Sequence, residues 1–502
     1  MLFNSYIFVL LFLPVSLSVF YGISKKYIDR SIIKNCKVSS DNRTQSSNKS
    51  KLLCLISSSL FFYSFQKPWY TLILIVSVLF NYICSWLICK STKRLWLVLG
   101  LAGNILLLFL FKYASFTVSN LQHLVGADLA FPSIALPLGI SFYTFQQIGY
   151  LIDVYRCTVN GELVEDSFLE YASFVTFFPQ MVAGPIVSRA ELLPQLPKSH
   201  RFDYEYFARG IEIFIFGLAK KVLLADVFGT AVDWGFSNIE KMNSTDAIIV
   251  MLCYTLQIYF DFSGYSDMAV GLGKMFHLDL PWNFDSPYKS HSITEFWRRW
   301  HITLGRFLRE YVYIPLGGSR KGNGKTYRNL LIVFVLCGIW HGAAWTFFLW
   351  GLIIAILVCL EKSYDKVLNR LPGWLNWFRT FLTLNLLWIL FRSSTLGEAW
   401  TFCRITLNLS FLKPSPKLYG SFYTAEFYKV FVNIPGGFAD RFPWLLMFTY
   451  LAVGLWIVLG CKNTKAKSEQ PFTVRRSIWC AILLAWSIVS FTGVSPFLYF
   501  NF

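Results

Sequence analysis

Charge is what this sequence has least of: 15% of its 502 residues are Asp, Glu, Lys or Arg, while 55% are apolar. That balance excludes a soluble multidomain protein. No Cys-x-x-Cys pair occurs, and most of the 11 cysteines (Cys84, Cys253, Cys337, Cys359 and Cys480 among them) sit inside apolar runs. They read as small buried hydrophobes, not as a disulfide frame or a zinc site. There is no His-Glu-x-x-His zincin motif and no Gly-x-Ser-x-Gly elbow, since Ser263 lacks the first glycine. A phosphate-cradling loop is missed too: PLGGSRKGNGKT (Pro315–Thr326) has Ser319 where Gly-x₄-Gly-Lys-Thr needs its first glycine, so it reads as a basic turn. The net charge of +18 is carried in short loops between apolar runs. Nucleic-acid binding would need a basic stripe, which is absent; orientation in a membrane accounts for the charge instead.

What the chain has in quantity is apolar length. With 18 Trp and 49 Phe it fits a multi-pass membrane protein with interfacial aromatic belts. Spans of about 20 residues are expected near 3–21, 52–66, 69–89, 95–112, 133–152, 168–187, 207–226, 246–262, 330–360, 377–392, 443–461 and 477–493. The N-terminal run carries its positive charges after the apolar stretch, the reverse of a cleavable signal peptide, and reads as a first span with its N-terminus outside. Eight Lys/Arg against two Asp place 22–51 in the cytoplasm, with a polar linker at 39–50. The same rule puts 90–94, 289–328, 361–379 and 462–476 inside, and 393–442 becomes an external loop with short helices. If both flanks of 330–360 are cytoplasmic, its 31 residues at about 1.5 Å each cannot cross a ~30 Å core twice. A shallow hairpin or broken helix with His341 at mid-depth follows. Irregular backbone there needs a protein cavity around it.

Two histidines stand out. His341 lies in VFVLCGIWHGAAW (Val333–Trp345), flanked by Gly338, Gly342, Ala343 and Ala344, which leave space for a ligand or a close helix. An imidazole in an apolar segment is costly and by default functional, and a desolvated, neutral one suits a general base for a hydroxyl. The plainer reading is a histidine hydrogen-bonded between helices. His301 lies in SITEFWRRWHITLGRFLREYVY (Ser292–Tyr313), where a Ser292–Glu295 capping box starts a helix. Trp297, Trp300, Leu304, Phe307 and Tyr311 form one apolar stripe, with Arg298, Arg299, Arg306 and Arg309 opposite, as in an interfacial amphipathic helix. With Arg320 and Lys321, these arginines could hold a phosphate-bearing ligand or simply anchor the helix to anionic lipid.

Upstream, Asp261, Ser263, Tyr265 and Asp267 lie beside a hydrophobic segment. Two aspartates six apart give no metal ligand set, so no metal is expected; hydrogen-bonding support, or helix-end capping by Asp261 and Ser263, is preferred. Gln146, Gln147 and Asp153 would have to face the bundle interior, and Gln146 and Trp340 join the residues expected near a tunnel.

These stretches, together with LPLGISFYTFQQIGYLIDVYR (136–156), FFPQMVAGPIVSRAELLPQL (177–196), YFDFSGYSDMAVGLGKMF (259–276) and LWILFR (387–392), are long, ordered and specific. The chain resembles the membrane-bound O-acyltransferases, most closely the branch containing the alginate O-acetylation membrane subunit, over nearly its whole length. The resemblance implies an all-α polytopic domain spanning 1–502, with N-terminal helices (1–130), a catalytic core (131–362) and C-terminal helices (363–502). It implies about eleven transmembrane helices, plus re-entrant and interfacial ones, around a central tunnel, with His341 as the family's invariant histidine and His301 as the upstream one. A cytoplasmic thioester, acetyl-CoA in this branch, would donate an acetyl group across a bacterial inner membrane to an exported polysaccharide, often through a partner with a serine nucleophile. No bound cofactor is implied. The stretches 22–51 and 393–442 depart from the alginate pattern and bear on the acceptor. O-acetylation of peptidoglycan, or D-alanylation of teichoic acid from a carrier protein, stay open. A glycolipid transporter would usually show inverted repeats, and none is found; a structural scaffold would leave the buried histidine without a reason.

Overall fold

The computed structural model describes residues 1–33, 40–65, 67–126, 135–198, 202–434, 437–491 and 496–498. Every regular element among them is helical. Four helices are long and apolar enough to cross a membrane: Pro68–Ser91, Arg94–Val125, Ser244–Met275 and Trp345–Ser363, with shorter apolar helices at Ile7–Ile23 and Leu445–Leu459.

The chain divides into two compact units, Met1–Phe214 with Ser266–Trp282, and Ile215–Tyr265 with Asn283–Phe502. In the first, Pro68 opens a helix at the position where a missing N–H costs nothing, and Thr92 closes it with a left-handed backbone. That helix packs against the next through Asn81 and Asn104, whose side-chain amides bond each other at 2.6 and 3.3 Å. Gln147 reaches Ser77 (2.9 Å) and receives the Tyr171 hydroxyl (3.0 Å). Buried amides in an apolar bundle must find one another, and this sets the register. The interior placement expected of Gln146 and Gln147 is observed; Asp153 is half-buried beside Arg156.

Two expected spans and one expected linker differ. The 168–187 segment is a nine-residue helix, Phe168–Thr176, broken at Phe177 before Pro179, whose ring cannot continue it. The 246–262 segment runs on to Met275 as one 32-residue helix, because its later polar residues are buried instead of ending it. The expected linker at 39–50 is helical from Ser40, since a helix extends beyond its apolar part. The 393–442 stretch does contain short helices, Leu396–Leu407, Pro416–Gly420, Ala425–Val432 and Phe438–Arg441.

In the second unit, Asn323–His341 and Trp345–Ser363 form a hairpin broken at Gly342–Ala344. It is not shallow by length: each arm has 19 residues, or about 28 Å. The first arm starts seven residues before the apolar run that the sequence displayed. Where the arms cross, a Cβ on Gly338 or Gly351 would strike the other arm's backbone. The small residues around His341 therefore serve close packing; Gly342 is likewise covered by the Phe347 ring.

Candidate active site

The expected continuous helix over 292–313 is two helices, Ile293–Arg299 and Ile302–Leu308, followed by a wider π turn at Arg309–Tyr313. The apolar stripe hides the break because Trp300, Leu304 and Phe307 are all buried on either side of it. His301 occupies the break in a left-handed conformation (φ 46°, ψ 52°), a strained state for a residue with a Cβ and one that clusters at functional sites. A segment from the preceding loop fills the gap. Asn283 accepts the Ile302 N–H on its backbone oxygen (3.0 Å). Its Oδ1 accepts the Thr303 N–H (3.2 Å) and hydroxyl (2.7 Å). Asp285 donates its N–H to the Arg299 carbonyl (3.0 Å). The backbone groups freed by the break are thus satisfied.

The same Asn283 oxygen lies 3.4 Å from His301 Nδ1. Since it accepts from a backbone N–H, it is an oxygen, so Nδ1 must donate to it and Nε2 carries the lone pair. Burial pushes the His301 imidazole down to about 3, which keeps it neutral at physiological pH.

Upstream, Ser292 accepts the Glu295 N–H (3.0 Å), while the Glu295 carboxylate takes His291 N–H (2.8 Å) instead of closing the expected box. The N-terminus of Ile293–Arg299 is held by Glu361, from the far end of the hairpin. Its carboxylate accepts from Ile293 N (2.8 Å), Thr294 N (2.9 Å) and the Thr294 hydroxyl (3.0 Å), and pairs with Arg379 (3.1 Å). A buried carboxylate at a helix N-terminus meets both the orphan donors and the dipole.

His341 ends the first hairpin arm and is 3% exposed. Its ring lies 4.9 Å from Trp340, 5.3 Å from Trp350 and 5.2 Å from Phe391, centroid to centroid. Trp340 is also 6.0 Å from His301, which stands edge-on to Phe262 at 4.7 Å. One indole therefore spans the two imidazoles. Two buried histidines in an aromatic, water-poor enclosure are equipped to accept a proton from a hydroxyl and return it.

The other expected residues are dispersed. Asp261 and Ser263 lie inside the long helix, not at its end. The Asp261 carboxylate pairs with buried Lys221 (2.6 Å), which also meets Asp226 (2.8 Å), and accepts the Leu498 N–H (2.9 Å). Tyr265 packs edge-on to Phe497 at 4.3 Å. Gln146, which donates to the Phe174 carbonyl (2.9 Å), and Asp267 belong to the first unit. Arg298, Arg309, Arg320 and Lys321 are exposed, and Arg299 and Arg306 half-buried. Arg299 pairs with Glu295 at 2.8 Å. Neither of the cavities described, 880 and 300 Å³, is lined by either histidine.

Residues 158–394, which contain both histidines, match the model of the membrane-bound O-acyltransferase family. The chain is 40% identical over 430 residues to a peptidoglycan O-acetyltransferase of Helicobacter pylori, covering 80% of this chain and 78% of that one. The chain belongs to this family. It is therefore a membrane-embedded O-acyltransferase. A protein of Pseudomonas aeruginosa named "Probable alginate O-acetylase AlgI" is 37% identical over 413 residues, 80% of this chain and 74% of that one. The teichoic acid D-alanyltransferase of Streptococcus thermophilus is 26% identical over 310 residues, 52% of the acyltransferase described here and 69% of that relative.

Proposed function

We propose that the protein moves an acetyl group from acetyl-CoA at the cytoplasmic face of a bacterial inner membrane toward an extracytoplasmic glycan, through a tunnel among about eleven spanning helices. The observation that carries this is the pair of buried imidazoles that both lie against Trp340. In this reading His341 takes the proton of the acceptor hydroxyl as its oxygen attacks the thioester carbonyl. The C–S bond breaks, and the imidazolium returns the proton to the leaving thiolate. His301, held in one tautomer by Asn283, orients the hydroxyl through Nε2. The hydroxyl belongs to a serine of an esterase-like partner, or to the glycan itself. Arg298, Arg299, Arg306, Arg309, Arg320 and Lys321 receive the donor phosphates, and Trp340 packs on both imidazoles.

The acceptor is an alginate-like exported polysaccharide in this reading, with peptidoglycan favoured as a second reading by the 40% relative. D-alanylation is the more distant alternative at 26%. His341→Ala should insert and fold yet lose transfer by about 10²–10⁴-fold, the usual worth of general base catalysis. Normal acetylation of cell-surface glycan by a well-expressed His341→Ala protein overturns the assignment.

A further inference from the structure

Away from the histidines, the second unit holds a cavity of about 880 Å³ between the helices Leu445–Leu459 and Val474–Val489. That volume is within the range of roughly 300–1,000 Å³ typical of small-molecule sites. Its long walls are apolar, with Leu223, Tyr450, Val453, Trp456, Trp479 and Leu483 among them. Five cations also line it, Lys220, Lys462, Lys467, Arg475 and Arg476, and no Asp or Glu does. Two of the cations lie against aromatic rings of the same lining. The Lys467 ammonium lies 5.4 Å from the Phe216 ring centroid and that of Lys220 5.7 Å from Tyr259. Arg476 is held by the Gln470 carbonyl at 3.1 Å.

We propose that this cavity binds an anionic membrane phospholipid, with an acyl chain between the two helices and the phosphate in the cationic collar. Charge complementarity selects a headgroup of net negative charge, and the apolar walls select a hydrocarbon chain. A lipid is favoured over a soluble donor by the mouth: Trp456 is 64% exposed and Trp479 54%, so the slot opens past large apolar side chains that in a bilayer face lipid. The inference rests on membrane embedding alone and is independent of the acyl-transfer chemistry.

The test uses the full chain, purified in neutral detergent and mixed with phosphatidylglycerol or phosphatidylcholine, with retained lipid counted by mass spectrometry and unfolding followed thermally. Phosphatidylglycerol should be retained and raise the melting temperature, and phosphatidylcholine should do neither. The Lys462→Gln/Arg475→Gln double variant changes two exposed side chains and should bind phosphatidylglycerol about fivefold more weakly per cation removed, the worth of one basic residue at an anionic surface. Val453→Trp, which fills the slot and leaves every cation in place, should also reduce retention of phosphatidylglycerol. High salt should weaken the wild-type interaction, giving a reading even if a variant misfolds. Equal retention of both lipids overturns the proposal. So does displacement of phosphatidylglycerol by acetyl-CoA alone, which would make the cavity a donor site.

Discussion

At the scale of single residues, Asn283 decides what His301 is. Its one carboxamide oxygen serves the His301 ring, the Thr303 N–H and the Thr303 hydroxyl. Asn283→Ala should therefore release the tautomer and lower kcat by about 10–100-fold, as loss of an orienting partner does, with the KM for acetyl-CoA little changed. A fall confined to KM would mean that Asn283 serves binding instead. Stability carries a second signature. The His301 pKa is depressed from 6.5 to about 3, so its neutral form contributes stability above pH 6.5. That contribution is lost as pH falls from there toward 3, because the unfolded chain takes the proton first. The melting temperature in detergent should drop between pH 7 and pH 5, and more gently in His301→Gln. Identical slopes in the two proteins would sink this account. Both histidines were legible because an imidazole in an apolar run is conspicuous. Asn283, 18 residues upstream in a loop, gave no such signal. Glu361 did, as the one acid within the apolar run Trp345–Ser363, and the sequence reading passed over it.

Among the helices, the break at Trp300–His301 is the feature that periodicity could not display, since apolar spacing runs straight through it. What maintains the break comes from elsewhere in the chain: the 283–285 segment fills it, and Glu361 fixes the helix before it. Glu361→Ala releases half-buried Arg379 and strands three donors, and should cost about 1–3 kcal/mol of stability, as leaving buried donors unpaired does. Glu361→Gln keeps the shape and should cost less while still lowering activity, because His301 follows the helix it caps. Full activity in Glu361→Gln would show that the carboxylate charge plays no part in placing His301. The hairpin was legible as a hairpin, and its length was underestimated because polar residues at 323–329 hid the true start of its first arm.

For the whole molecule, charge asymmetry predicts the orientation. The basic stretches 289–328 and 462–476 should face the cytoplasm and 393–442 the outside. In a background without reactive cysteines, Lys321→Cys should label only after permeabilisation, and a cysteine near 410 in intact cells. Labelling of Lys321→Cys in intact cells would reverse the orientation, and the donor side with it. The arginines of the 298–321 stretch divide two roles: Arg-to-Gln changes that raise the KM for acetyl-CoA more than they lower kcat mark phosphate contacts. If none of them moves KM, they serve the lipid surface.

The crossing of Gly338 and Gly351 also constrains how this gene can change. Every missense change at a glycine codon adds at least a Cβ, and here each Cβ meets the backbone of the opposite arm. A compensating change cannot be found across the contact, because the atoms met first are the backbone oxygens of Phe347 and Phe334, which no substitution removes. In a saturating mutant library selected for acetylation, these two codons should keep only synonymous changes.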